Sequence, residues 1–427
     1  MALGGASKMN TLREYVKVGL KKVATDNGFS EGKYRIAFEN WSNRGDGFMG
    51  NMFPALIRQD GVEDLKVLVK DMPKTVPRRK HAIGMFEREA LMFNNVLPAW
   101  KTFQAERGLF EKAGFWHAPE CYYAHCDPDK LEGVIIMEDL RETNFRMLNK
   151  LQAVNEDHVR LLMEKLGKMH ALSFAMRDQA PEQFETFKKL IDPSKVLIAK
   201  DKNRSTEKIF AEMFDRAIQC LDSQADADVI KRMKKLEGKL IEQYLECVDA
   251  SKVDPYAAVT HGDCSGTNVM YSYIGNDPKP TNIRLIDWQL SRYVSPVLDL
   301  SQFMFISTNA ELRGVKYEPL IRAHYQSLCA YLKRLGSNPE RLYPADIYQG
   351  QWNKYGRFGM IMGLIQVPMM CTSPEDLPDM DEFIEKADAG DADVSFQFAA
   401  KGESLKLYQS RIRGMLRDAA RFGYLND

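Results

Sequence analysis

His261-Gly262-Asp263-Cys264-Ser265-Gly266-Thr267-Asn268, followed by an apolar strand pattern that ends in Ile286-Asp287-Trp288, is the stretch on which the reading of this chain turns. Moving a phosphoryl group needs little covalent help. It needs a carboxylate beside the attacking hydroxyl and oxygen ligands that hold a divalent cation on the phosphates. Asp263, in a loop, suits the first role. The amide of Asn268 and the carboxylate of Asp287, which closes a separate strand, suit the second. Alone, the pattern is weak: an Asp and an Asn bonding their own backbone in a turn, with Asp287 as a strand-end cap, is the bland reading.

The surrounding sequence supplies company in a consistent order. Val67-Leu68-Val69-Lys70 places an ammonium at the end of a strand, where it suits contact with nucleotide phosphates, with Leu68 on the same side. Glu89 follows in a helical pattern, beside the apolar face made by Phe86 and Phe93, and from there it reaches back to Lys70; Glu87 is its rival. An exposed strand lysine and a solvated helix glutamate are the plain alternatives. Gly45, Gly47 and Gly50 lie between two strands, either as a phosphate-approaching loop or simply as hairpin glycines. Val134 to Met137 runs into Glu138-Asp139-Leu140, where a hinge with adenine on its backbone belongs.

Around these residues, 11–25 have the spacing of an amphipathic helix, and strands are predicted at Tyr34 to Asn40, Met52 to Arg58 and Asp64 to Lys70. Ile83, Phe86, Ala90, Phe93 and Leu97 predict a helix that Pro98 closes, and Glu120 to His125 and Gly133 to Met137 predict two further strands. Beyond Glu138, long helical patterns take over at 155–178, 205–222, 226–249, 318–335 and 403–422. Short strands interrupt them at Ala257 to Thr260, Val269 to Tyr273 and Asn282 to Ile286. The expectation is α+β and two-lobed, with a sheet-rich nucleotide-binding lobe at 1–137 and a helical catalytic and acceptor-binding lobe at 138–427.

Composition narrows the alternatives. Lys plus Arg equals Asp plus Glu at 59 each in 427 residues, so no global field draws nucleic acid or anionic membrane. Seven scattered cysteines, without CxxC spacing, suit reduced thiols and a cytoplasmic setting better than a disulfide framework or a zinc site. The N-terminus has no uninterrupted apolar segment of the secretory kind. Phe358 to Cys371, the longest apolar run, is too short to span a bilayer and contains Gly359, Gly363 and Pro368. It reads as a core helix, although the Met- and aromatic-containing stretch from Trp352 to Met370 also suits the lining of an apolar pocket. The acidic stretch Pro374 to Asp393 is the expected long surface loop.

HGDxxxxN followed by IDW resembles the aminoglycoside phosphotransferase and choline kinase superfamily, which has a protein kinase-like fold. Phe86 and Glu89 with Val96 to Pro98, the MEDL segment Met137 to Leu140, the loop running into Val269-Met270-Tyr271, Leu285 to Gln289, and Pro296 to Leu300 together resemble the ecdysteroid kinase-like (CHK kinase-like) family. The resemblance implies Asp263 as catalytic base, Asn268 and Asp287 as Mg²⁺ ligands, Lys70 with Glu89 as the phosphate anchor, and Glu138 to Leu140 as the adenine hinge. It also implies His261 as a brace of the loop and Asp299 as a structural anchor. ATP and Mg²⁺ are the implied cofactors, and a hydroxylated lipophile such as an ecdysteroid the implied acceptor. A choline or ethanolamine kinase and a silent ligand-binding pseudokinase are the competing readings. Where family members carry bulky residues after the catalytic Asp, this chain has Cys264, Ser265 and Gly266, which predicts a more open loop. About 120 residues separate the hinge from Asp263, room for an extra helical block, and no APE-like activation segment follows Asp287. Both favour a small-molecule acceptor.

Overall fold

The computed structural model describes residues 9, 11–38, 50–201, 204–372 and 401–426. Gly45, Gly47 and the acidic stretch 374–393 lie outside them. Strands β1 (Arg35–Phe38), β2 (Asn51–Arg58), β3 (Leu65–Asp71), β4 (Cys121–Asp127) and β5 (Glu132–Glu138) form one antiparallel sheet in the order β1-β2-β3-β5-β4. Period-two alternation divides its side chains between two cores. Ile57, Val67, Val69, Val134 and Ile136 pack behind the sheet against Val16, Leu20 and Val23 of α1 (Glu14–Asp26). A Cβ on Gly19 would sit 2.7 Å from the Tyr123 ring, so glycine is what lets α1 lie this close to the strands. On the other face, Ile135 and Met137 join the main core with Phe86 of α2 (Val76–Leu91). Lys70 emerges on that inner face because its neighbour Val69 points the other way.

The helical path does not stop at Pro98. A π-helical segment, Met92–Val96, carries α2 into α3 (Leu97–Ala105), where Pro98 occupies the first turn. At that position the missing N–H costs nothing, so the proline starts a helix instead of ending one.

The C-terminal region is helical. Its long elements are α4 (Glu156–Gln179), α5 (Pro193–Lys200), α6 (Ser205–Ile218), α7 (Ala227–Lys234), α8 (Leu240–Cys247), α9 (Val297–Ser307), α10 (Ala310–Arg334), α11 (Ala345–Tyr355), α12 (Arg357–Cys371) and α13 (Gly402–Arg421). The single helix expected over 226–249 is instead two, α7 and α8, because Gly238 between them takes a left-handed φ of 72°. Among these helices lie a three-stranded sheet, β6 (Arg146–Met147), β8 (Val269–Tyr273) and β9 (Pro280–Leu285), in the order β6-β8-β9, and a two-stranded ladder of β7 (Ala258–Thr260) with β10 (Arg292–Val294). The loop 261–268 therefore leaves β7 and enters β8, and Asp287 follows β9. All seven cysteines are free thiols. Among the described residues no helix is long and apolar enough to cross a membrane.

Candidate active site

Three segments far apart in sequence meet at Lys70. Its Nζ lies 2.6 Å from Glu89 Oε2, 2.7 Å from Asp287 Oδ1 and 3.3 Å from Gln289 Oε1. Glu89 is buried, its Oε1 accepting the Trp288 N–H at 3.3 Å, whereas Glu87 is exposed on the same helix. Burial alone favours a neutral amine, but the Asp287 and Glu89 carboxylates outweigh it and hold the Lys70 ammonium above its ordinary pKa. The lysine is thus a fixed cation. Asp287 itself adopts φ 67°, in the left-handed region, and its Oδ2 accepts from Gln289 Nε2 at 3.1 Å.

The catalytic-type loop is hung on Asp299, buried at the start of α9. Asp299 Oδ2 accepts the His261 N–H at 2.7 Å and Oδ1 the Gly262 N–H at 2.9 Å, while His170 Nε2 lies 3.2 Å from Oδ2. Burial pushes this carboxyl up, but His170, His261 and the Gly262 N–H together hold it below the ordinary carboxylate value of 3.8. A depressed folded-state pKa contributes stability that is complete above the unfolded value and fades as pH falls through the folded one. The stability lost in Asp299→Asn is therefore expected to be constant above about pH 5 and to shrink below about pH 4, read from urea unfolding of both proteins across that range.

Gly262 has φ 88°, and a Cβ there would lie 1.8 Å from the Leu290 carbonyl oxygen. The loop and the Asp287 segment touch backbone to backbone at this point. Gly262→Ala is expected to cost on the order of 3 kcal/mol or more, seen as a lowered denaturation midpoint. Arg292 adds a clamp: Nη2 donates to the Gly262 carbonyl at 2.9 Å, and Nη1 pairs with buried Asp192. His261 Nε2 lies 2.9 Å from the Ile286 carbonyl oxygen, tying the loop to the residue before Asp287. The small residues after Asp263 do not open the loop. Cys264 and Ser265 are buried, and the Gly266 N–H donates to Ser307 Oγ at 2.8 Å.

Asp263 receives side-chain amide donors at both carboxylate oxygens. Asn268 Nδ2 lies 2.9 Å from Oδ2, and Gln302 Nε2 and Gln366 Nε2 lie 3.1 Å and 2.9 Å from Oδ1. Burial, and then the charge of Asp287, push the Asp263 carboxyl above its ordinary pKa. With Nδ2 of Asn268 turned to Asp263, its Oδ1 is left as an oxygen ligand. Among the described residues no three His, Cys, Asp or Glu side chains are gathered to hold a metal. A cation carried on nucleotide phosphates does not need them: one carboxylate, one amide oxygen and phosphate oxygens fit Mg²⁺.

The side chains of Glu138 and Asp139 shape the turn that follows β5. Asp139 accepts from Arg141 Nε at 2.7 Å and from the Arg141 N–H at 3.2 Å, and Glu138 Oε1 accepts from Thr143 Oγ1 at 3.2 Å. Leu140 packs with Phe145, Met270 and Ile286, a small apolar platform that connects the hinge to the residue preceding Asp287. Gly50 is buried against Asp71 and Phe86.

A model of the ecdysteroid kinase-like family matches residues 44–337. The chain belongs to this family. It is accordingly a small-molecule phosphotransferase of the kinase-like superfamily. Comparison with curated proteins finds no match. Among solved structures it is similar to wild-type aminoglycoside 2'-phosphotransferase-IIIa in its GDP complex, at 12% identity and TM-score 0.39, over 94% of this chain and 99% of the other. It is similar to the amicoumacin kinase hAmiN, in complex with AMP-PNP, Ca²⁺ and Ami, at 11% identity and TM-score 0.39, over 91% and 99%. A third is macrolide 2'-phosphotransferase MphH from Brachybacterium faecium, at 12% identity and TM-score 0.37, over 92% and 97%.

In this ecdysteroid kinase-like chain the structure brings Lys70, Glu89 and Asp287 into direct contact, and Asn268 into contact with Asp263. Glu138, Asp139 and Leu140 sit at the end of β5, where the sheet gives way to the helical region. Gln302, Gln366 and Gln289 are the polar contacts that sequence reasoning passed over. The signal for two of them was present: Gln302 and Gln366 are lone amides in the otherwise apolar helical runs around Phe303 to Ile306 and Phe358 to Cys371.

Proposed function

We propose that the protein transfers the γ-phosphoryl group of ATP to a hydroxyl of a lipophilic small molecule of the ecdysteroid type, using Mg²⁺. The observation that carries this reading is the meeting of Glu89 and Asp287 at Lys70, 2.6 Å and 2.7 Å from its Nζ, with His261 tying the Asp263 loop to Ile286, the residue before Asp287. Residues 1–137 hold the nucleotide, and 138–427 hold the acceptor and the reacting groups. Lys70, oriented by Glu89, neutralises phosphate charge, and Gly45, Gly47 and Gly50 belong to the loop over the phosphates. The backbone of Glu138 to Leu140 takes adenine, which the platform around Leu140 and Ile286 suits. Asn268 and Asp287 are the residues that would hold Mg²⁺, and its charge would offset the negative charge of the transferring phosphoryl group.

Asp263 orients the acceptor hydroxyl. As the acceptor oxygen bonds to the γ-phosphorus and the bond to the ADP oxygen breaks, the hydroxyl proton passes to the Asp263 carboxylate. A neutral hydroxyl needs a nearby base but not the aromatic and acidic cage that an ammonium acceptor would require, and Asp263 is the base proposed. The reading is tested by incubating the protein with Mg²⁺-ATP and two acceptor panels, hydroxylated steroids and cationic amino alcohols, and following the mass gain of one phosphoryl group. Phosphorylated steroids are expected. Turnover confined to amino alcohols overturns the acceptor class, and stabilisation by ligands with no turnover at all makes the chain a binding module.

A further inference from the structure

The Asp263 carboxylate has about four acceptor positions, and three are filled by amides: two on Oδ1, from Gln302 and Gln366, and one on Oδ2, from Asn268. The position left for an incoming hydroxyl is on Oδ2. Gln302 is buried on α9, and its Nε2 also donates to Gln366 Oε1 at 3.1 Å, which fixes the direction of both amides. Its own Oε1 is buried with no hydrogen-bond partner among the described residues. An orphaned carbonyl is costly, and the opposite amide orientation would set that oxygen against the Asp263 carboxylate. The cluster keeps the donor on Asp263 at the expense of the carbonyl.

Gln366 differs from Gln302 in being partly exposed. It shares that property with Met362, Ile365 and Met369. At 100° per residue these four fall within an arc of about 100° on α12. Met360, Leu364 and Val367 point the other way and, with Ile361 at the edge of the arc, are buried in the main core. One face of the apolar run fills the core, and the other, packed against that core, leaves Met362, Ile365 and Met369 partly exposed around the amide that touches Asp263. One turn on, Met370 lines a depression together with Gly266 and Thr267 of the catalytic-type loop.

Resting on the phosphotransferase reading above, we propose that Gln366 is a positioning residue that directs the acceptor hydroxyl to Oδ2 of Asp263. The surrounding Met362, Ile365 and Met369 then form the wall on which the apolar body of a neutral hydroxylated acceptor lies. Methionine suits this task because its unbranched thioether adapts to flat, rigid surfaces. This part of the site lies beyond residues 44–337, the span matched by the family model.

The test is steady-state kinetics of the full-length protein with Mg²⁺-ATP and the hydroxylated steroid that wild type turns over fastest. Gln366→Met, similar in volume but without a donor, is expected to lower kcat about tenfold with KM for ATP unchanged. Gln366→Glu, similar in shape but placing a carboxylate against a carboxylate, lowers it further and carries the test if Gln366→Met fails to fold. Met369→Gln raises KM for the steroid about fivefold and leaves KM for ATP alone. If kcat and steroid KM stay within twofold of wild type in all three variants while Asp263→Asn is inactive, the positioning role and the α12 wall are wrong and the phosphotransferase reading stands. If Asp263→Asn is as active as wild type, Asp263 is not the base, and if no hydroxylated steroid is turned over, the acceptor class is wrong; either result overturns the inference.

Discussion

Asp263→Asn is expected to lower turnover at least about a hundredfold, with nucleotide affinity within about twofold of wild type. The size follows from the chemistry. The amide is close in shape to the carboxylate and still accepts hydrogen bonds through its oxygen, so the acceptor continues to dock, but it cannot take the hydroxyl proton. Nucleotide affinity is spared because Lys70, the residue proposed to hold the phosphate end, bonds to Glu89, Asp287 and Gln289 and not to Asp263. The substitution is not neutral for the fold. An amide at 263 faces three amide N–H donors with one acceptor oxygen in place of two, and at least one contact with Asn268, Gln302 or Gln366 is lost. Single-turnover phosphorylation and nucleotide titration by thermal shift separate the two effects. Turnover equal to wild type removes Asp263 from the chemistry.

Much of this arrangement was legible in the sequence because it is local. The alternation in Leu65 to Lys70 decides which side chains enter the rear core and which face inward, so Lys70 had to lie on the face opposite Val69. The spacing of Phe86 and Glu89 likewise settles Glu89 over Glu87, since only one of them shares the buried face of α2. The first glycine of the loop, Gly262, is dictated by contact with the Leu290 carbonyl, a constraint that no local pattern expresses. Pro98 was misread for a related reason. A proline stops a helix only when its N–H is needed, and the π-helical turn before it had already broken the regular ladder. The amide cluster was illegible because it is tertiary: Gln302 and Gln366 are 39 and 103 residues from Asp263, and only the packing of α9 and α12 brings them to one carboxylate. Their isolation among apolar residues marked them as unusual without saying what they face.

Asp287→Ala is expected to reduce turnover by on the order of a thousandfold and to raise the Mg²⁺ concentration needed for half-maximal activity. Three losses combine. The strand-end carboxylate is the one charged ligand proposed for the cation, so Mg²⁺ then depends on Asn268 and the phosphates alone. Lys70 loses one of its two counter-charges, and its ammonium, still paired with Glu89 at 2.6 Å, is free to shift from the position that suits the phosphates. The third loss is in the backbone: at position 287, where φ is 67°, an Asp tolerates the conformation better than a residue with no polar side chain. A drop in stability therefore accompanies the drop in rate. Asp287→Asn separates them, because asparagine keeps the backbone preference and an oxygen ligand while removing the charge. The expected order of activity is wild type, then Asp287→Asn, then Asp287→Ala, with the Mg²⁺ requirement rising in the same order even after thermal unfolding shows the asparagine variant folded like wild type. A Mg²⁺ dependence identical in all three proteins excludes Asp287 from the metal site and leaves its contact with Lys70 as a purely structural ion pair.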